Sequence, residues 1–171
     1  MSLEEIYRDH FTIVWRGLRR LGVSERQLDD AVQDVFLVVH RRLGDFQGRS
    51  ALQTWIYGIV VRVAKDYRRA EARHAQRVER LSELVSAAPE RADTPADEAE
   101  RREANRTLHA VLGELEEDQR EVLILIVLEQ LPVREAASAL GIRVRTCQRR
   151  LRAAQAKFEE KLAAYLGRRP Q

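Results

Sequence analysis

A single cysteine, Cys147, stands in a chain of 171 residues. It cannot close an intramolecular disulfide, and without a second thiol it makes no cysteine metal pair. A reducing cytoplasm is the expected compartment. Glycine (8) and proline (4) are scarce and aromatics make up only 6%, so turns are few; Ala, Leu, Arg and Glu dominate. This composition favours helices. Long hydrophobic runs are missing too. The longest, VLILIVL from Val122 to Leu128, is far too short to cross a bilayer, so no membrane insertion is expected. The acidic opening MSLEEIYRDHF is wrong for a signal peptide. Neither sign of charge prevails: 30 basic against 27 acidic residues give a net +3, and the distribution must speak for the partners instead. His10, His40, His74 and His109 are scattered. No acid recurs beside them at ligand spacing, and there is no phosphate-binding glycine loop. No catalytic residue, metal or cofactor is expected.

What is present is helical periodicity in two blocks. Residues 3–21 read as one helix stopped by Gly22. Ser24 with Gln27 offers a capping box for the next, in which Leu28, Ala31, Val32, Val35, Phe36, Val39 and Leu43 form one apolar stripe. Gly44 ends it. Ser50 and Gln53 repeat the capping signature before a third helix that buries Leu52, Trp55, Ile56, Ile59, Val60, Val63 and Tyr67. Three such helices with short connections make a bundle. Residues 81–100 then carry six acids and one arginine, a net of −5, with two prolines and no aromatic. That stretch is expected to be a flexible acidic linker. Helices resume at 101–115, and the polar flanks of QREVLILIVLEQ favour a buried helix over a strand. Pro132 sits at a helix start. A short helix follows, then a turn at Gly141, then a long helix over 144–165 with the stripe Cys147, Leu151, Ala154, Phe158, Leu162 and Tyr165. The expected fold is all-α: a domain over 1–80, the linker over 81–100, and a second domain over 101–171.

A short helix, a glycine turn and a longer helix form a helix-turn-helix pattern, whose second helix enters the DNA major groove. With the Cys147–Leu151–Ala154–Phe158 stripe turned inward, Arg145, Arg149 and Arg152 share another face, with Thr146 and Arg150 beside them. A solvated face usually alternates charge; this one does not, which favours an anionic partner. Arginine forks suit both phosphates and guanine edges. A second basic stretch, 62–80, holds seven basic residues against three acids. Upstream, FQGRSALQTWIY sets aromatics beside Gly, Arg and Ser, the chemistry that single-stranded nucleic acid uses. Trp55 by itself reads as core, and the loop 46–50 is better placed to meet a base. On the middle helix Asp29, Asp30 and Asp34 lie off the stripe, with Gln33, Leu37 and Val38 facing outward, which suggests a protein-binding surface.

The segment LDDAVQDVFLVVHRRLGDFQGRSALQTWIYGIVVRVAKDYRR resembles domain 2 of bacterial RNA polymerase sigma factors of the extracytoplasmic-function group. LEEDQREVLILIVLEQLPVREAASALGIRVRTCQRRLRAAQAKF resembles their domain 4. The resemblance implies a factor that binds core RNA polymerase and directs promoter-specific initiation. Asp30, Gln33, Asp34 and Leu37 would dock on the β′ clamp helices. Phe46, Gln47, Gly48, Arg49 and Ser50, with Trp55, Arg62, Lys65, Arg68 and Arg69 on the following helix, would capture and melt the −10 element. Arg143, Arg145, Thr146, Gln148, Arg149 and Arg150 would read the −35 element while this domain packs on the β flap, and an anti-sigma factor would hold the chain inactive. The sequence departs from the family at the recognition turn, where GIRVRTCQRR replaces the usual G-I-S-x-G-T-V-K-S-R. Arg143 stands at the usual capping serine, a loss of roughly 1 kcal/mol unless another group substitutes. IVVRVAKDY also lacks the asparagine common after the arginine of the −10 helix. A stand-alone helix-turn-helix regulator is the alternative; it would need a dimer interface and a palindromic site, and it leaves the second basic helix unexplained.

Overall fold

A computed structural model describes residues 2–48, 50–81 and 96–167, with side chains described except in 76–102. Arg49 and residues 82–95, most of the expected linker, lie outside the described residues. Seven α-helices follow in order: α1 Leu3–Arg20, α2 Leu28–Arg42, α3 Leu52–Leu81, α4 Ala96–Gly113, α5 Glu117–Leu123, α6 Val133–Ala139 and α7 Val144–Gly167. No strand occurs among the described residues. The all-α expectation holds. Two boundaries moved: α3 continues to Leu81, and α4 begins at Ala96, inside the stretch read as linker.

Local chemistry explains most helix ends. Ser2 and Glu5 form a reciprocal capping box on α1: Glu5 N donates to Ser2 Oγ at 3.2 Å and Ser2 N donates to Glu5 Oε2 at 2.7 Å. The box expected at Ser24 does not form. A 3-10 turn, Glu25–Gln27, intervenes before α2, and Ser24 Oγ instead donates to the Gln27 side chain at 2.9 Å. Helices α1 and α6 both end in a left-handed glycine, Gly22 (φ 91°) and Gly141 (φ 64°). After each, the next residue donates five positions back, Val23 to Leu18 O and Ile142 to Ala137 O. This is the Schellman closure that glycine adopts without a Cβ penalty.

Helices α1, α2 and α3 pack as the expected bundle around Val14, Leu18, Val35, Val39, Ile56 and Val60, all buried. Helices α4 to α7 make a second unit around Leu112, Val122, Leu125, Cys147 and Ala154. The two units are not separate. The short helix α6 lies across α3, and one continuous apolar cluster joins them. Helix α3 is therefore buried on two sides: Ile56, Ile59, Val60 and Val63 as the stripe requires, and also Tyr57, Val61 and Ala64. Trp55, Leu52 and Tyr67 of the expected stripe are only half-buried.

Candidate nucleic-acid interface

The helix-turn-helix is α6, the Gly141 turn and α7. Its exposed front matches the expected arginine face: Arg143, Arg145, Gln148, Arg149 and Arg152 are exposed and line one open groove with half-buried Thr146. Cys147 and Ala154 are fully buried behind them, with Leu151 and Phe158 packed on the core. Burial pushes the Cys147 thiol pKa up. Arg150 differs from its neighbours. Its guanidinium pairs with Asp118 at 2.5 Å and its side chain is only 24% exposed. It ties α7 to the start of α5 and does not join the open face.

In the first unit Phe46 stacks on Trp55, ring centroids 5.4 Å apart and tilted by 49°. Gln47 and Gly48 are exposed at the loop tip. Ser50, Trp55 and Arg62 line a cavity on the outer side of α3 that Ser138 and Ala139 of α6 close from across the unit boundary. Arg62 and Arg69 are exposed. Lys65 and Arg68 turn toward the second unit, where Glu117 lies 3.4 Å from Lys65 Nζ and 2.6 Å from Arg68. Glu121 stands 3.6 Å from Arg68 with its side chain 6% exposed. Its Oε1 accepts no hydrogen bond, and desolvation raises its pKa. So the expected −10 residues are brought onto one helix and loop, but they face two directions.

On α2, Asp30, Gln33, Asp34 and Leu37 are all exposed. Leu37 is 43% exposed and shares an open apolar groove with Tyr7 and Phe11 of α1, themselves 45% and 36% exposed. Tyr7 stacks against Phe11 and Phe36 at 5.3 and 4.6 Å. Those two aromatics went unnoticed in the sequence, although the i, i+4 spacing of Tyr7 and Phe11 on the polar side of α1 was a signal. One expectation needs correction: Val38 is not an outward residue but half-buried against the core. Asp34, exposed on α2, accepts the Tyr67 hydroxyl at 2.7 Å. Burial, together with that bond, pushes the Tyr67 pKa up to about 12.

One cluster had no sequence signal. Glu129, at the end of α5's continuation, carries a side chain that is 1% exposed. Arg16 donates to both of its oxygens, at 3.2 and 2.6 Å, Arg20 donates at 2.5 Å and the Tyr57 hydroxyl at 2.5 Å. The apolar run forms a π-helical turn, Ile124–Leu128, after which Glu129 N donates five residues back to Ile124 O. Gln130 then takes a left-handed φ of 56°, a conformation that non-glycine residues adopt only at a cost of about 1 kcal/mol. The widened turn aims Glu129 at α1 and α3. Burial opposes its charge, but the arginines and the tyrosine prevail and hold its pKa below the ordinary glutamate value. Burial and the same carboxylate push the Tyr57 pKa strongly upward.

Among the described residues no group of three His, Cys, Asp or Glu side chains converges as a metal site, and no helix is long and apolar enough to cross a membrane. The Sigma-70 region 2 family model matches residues 6–74, and the Sigma-70, region 4 model matches residues 105–157. The ECF RNA polymerase sigma-E factor of Haemophilus influenzae is 30% identical over 151 residues, covering 85% of this chain and 80% of that protein. The RNA polymerase sigma factor CnrH of Cupriavidus metallidurans is 31% identical over 160 residues, covering 91% and 83%. The solved structure of CnrH in complex with the cytosolic domain of CnrY superposes with a TM-score of 0.70 at 25% identity, over 95% of this chain and 88% of that one. RpoE of Bartonella quintana, solved with the anti-sigma factor NepR, shares the fold at a TM-score of 0.68 and 21% identity, covering 94% and 96%.

Proposed function

This chain belongs to the sigma-70 family, as a sigma factor of the extracytoplasmic-function type that directs RNA polymerase to promoters, and we propose that three of its surfaces divide that task. A stand-alone regulator is set aside, because both sigma regions occur in one chain. The arginine face of α7 reads the −35 element: Arg145, Gln148 and Arg149 reach base edges, and Arg143 and Arg152 hold phosphates. The Phe46–Trp55 stack, with Gln47, Gly48, Arg49 and Ser50, takes up −10 bases, while Arg62, Lys65, Arg68 and Arg69 track the backbone. The Tyr7–Phe11–Leu37 groove, which Asp29 and Gln33 also line, docks on the polymerase β′ clamp helices together with Asp30 and Asp34 of the same helix, and the second unit also meets the β flap. The protein does no chemistry of its own and works in the cytoplasm. As CnrH and the Bartonella factor were solved with protein partners, an anti-sigma factor is inferred here too.

The observation that carries this reading is the one-signed, exposed arginine face on a helix backed by a fully buried Cys147 and Ala154. Core polymerase reconstituted with the chain and given genomic DNA supplies the test. Sequencing of transcript 5′ ends is expected to reveal one pair of upstream elements at fixed spacing. Failure to bind core, or starts without a common upstream element, overturns it.

A further inference from the structure

A cavity of about 350 Å3 opens beside the Gly22 turn, where the end of α1 meets α4 and α5. Four arginines line it: Arg19 and Arg20 from α1, Arg106 from α4 and Arg120 from α5. Among the described residues Glu25 is the single carboxylate on its wall. Glu25 pairs with Arg19 at 3.1 Å, and its own side chain is 79% exposed. Arg20 shares the buried Glu129 with Arg16, and Arg106 pairs with Glu103 of its own helix at 3.2 Å. Arg120 differs. Its Nε and Nη2 donate to the backbone carbonyls of Leu112, Gly113 and Leu115, and among the described residues no carboxylate stands within ion-pairing distance of it. Burial and the nearby Arg68 lower its pKa. A Cβ on Gly22 would lie 3.3 Å from Arg120 Nη1, so the bare turn leaves room for this guanidinium. His109, half-buried on α4, also lines the cavity. Burial and the charges of Arg19 and Arg20 lower its pKa, against the pull of Glu25.

We propose that this pocket binds a diphosphate group, either as free pyrophosphate or as part of a nucleoside diphosphate. Like charges held together in a partly desolvated site repel, and an anion seated among them offsets that repulsion. The arginines approach from three helices, so the ligand must offer oxygens on several sides. A diphosphate does so at both ends, and planar guanidinium forks match phosphate oxygens in pairs. The cavity lies at the lower end of the range of about 300–1,000 Å3 that small-ligand sites occupy. None of its residues is assigned above to promoter DNA or to polymerase, so the site does not rest on those assignments.

The full chain is titrated in a calorimeter with sodium pyrophosphate, with adenosine and guanosine diphosphates and, at matched ionic strength, with sodium sulfate. Pyrophosphate is expected to bind saturably, one to one, and more tightly than sulfate. A nucleoside diphosphate that binds more tightly than pyrophosphate assigns the site to a nucleotide; weaker or equal binding assigns it to the free anion. In the wild type the His109 Hε1 resonance is expected to shift as pyrophosphate is added, while those of His10, His40 and His74 stay in place. Arg19→Ala/Arg106→Ala changes two side chains that are 35% and 73% exposed and is expected to weaken binding about tenfold or more. Arg8→Ala/Arg41→Ala removes the same charge at exposed positions outside the pocket and is expected to bind as the wild type does. Equal weakening in both variants reduces the binding to bulk charge and overturns the site. An unmoved His109 resonance overturns it too, as does pyrophosphate binding no tighter than sulfate. The histidine resonances need no substitution, so they decide the matter even if the double variant loses helicity.

Discussion

Tyr57 and Glu129 are 72 positions apart, and the tyrosine hydroxyl donates to the carboxylate at 2.5 Å inside a fully buried contact. One residue belongs to the matched region 2 and the other to region 4. A buried carboxylate repays its desolvation only when its oxygens are fully satisfied by charged or polar donors. Arg16, Arg20 and Tyr57 do that for Glu129. At the same boundary Glu121 is buried with one oxygen that accepts no hydrogen bond and has only a 3.6 Å ion pair to Arg68. Two buried acids on one helix and its extension therefore act in opposite directions.

Glu129→Gln is expected to lower unfolding free energy by about 3 kcal/mol, because Arg16 and Arg20 lose a desolvated partner. Glu121→Gln is expected to be neutral or stabilising, because burial disfavours the charge on this carboxylate and raises its pKa. The pH dependence follows with opposite signs. Glu129 has a depressed folded pKa, so its contribution is complete above the ordinary value of 4.5 and is lost as pH falls through the lower folded value. Glu121 destabilises at neutral pH, and that cost shrinks as pH falls from its raised folded value and is gone below the ordinary value of 4.5. Urea titrations of the wild type and both variants between neutral and acid pH check this. Equal losses for both variants at pH 7 would contradict it.

The groove of Tyr7, Phe11 and Leu37 is expected to supply the apolar centre of polymerase docking. Leu37→Asp should weaken core binding about tenfold or more, since it sets a charge in what becomes a desolvated contact. Leu37 is exposed, so helicity and melting temperature should stay near wild type. Asp34→Arg is a poorer probe, because it also removes the Tyr67 hydrogen bond. Surface-immobilised core polymerase gives the affinities. Wild-type affinity for Leu37→Asp removes the groove from the docking surface.

The helices, their apolar stripes and the arginine face were legible because each is periodic within one segment. Gly22, Gly141 and Pro132 marked the ends correctly for the same local reason. What could not be read depends on one unit meeting another. Tyr57 sits off the expected α3 stripe and is buried only because the second unit covers that side. Glu129 looks like an ordinary polar flank of VLILIVL until the π-turn rotates it toward Arg16. Arg150 has the same chemistry as Arg149 in sequence, and only the approach of α5 separates them.

That separation gives the last prediction. Arg149 is exposed in the groove with Arg145, Gln148 and Arg152, whereas Arg150 holds Asp118. Arg149→Ala is expected to weaken −35 binding by about 1–3 kcal/mol and to relax preference at one base pair, as a base-reading arginine does. Arg150→Ala should leave the rank order of −35 variants unchanged. Its loss appears in stability, by no more than about 1 kcal/mol because the pair is partly solvated, and Asp118→Ala should reproduce it without further loss in the double variant. A phosphate contact behaves differently from both, weakening all sequences alike and lowering the salt slope by about one unit. In vitro transcription from a set of −35 point variants, with thermal melts of each protein, distinguishes the three. A change of base preference in Arg150→Ala returns that residue to the reading face. A uniform loss in Arg149→Ala moves Arg149 to the phosphates.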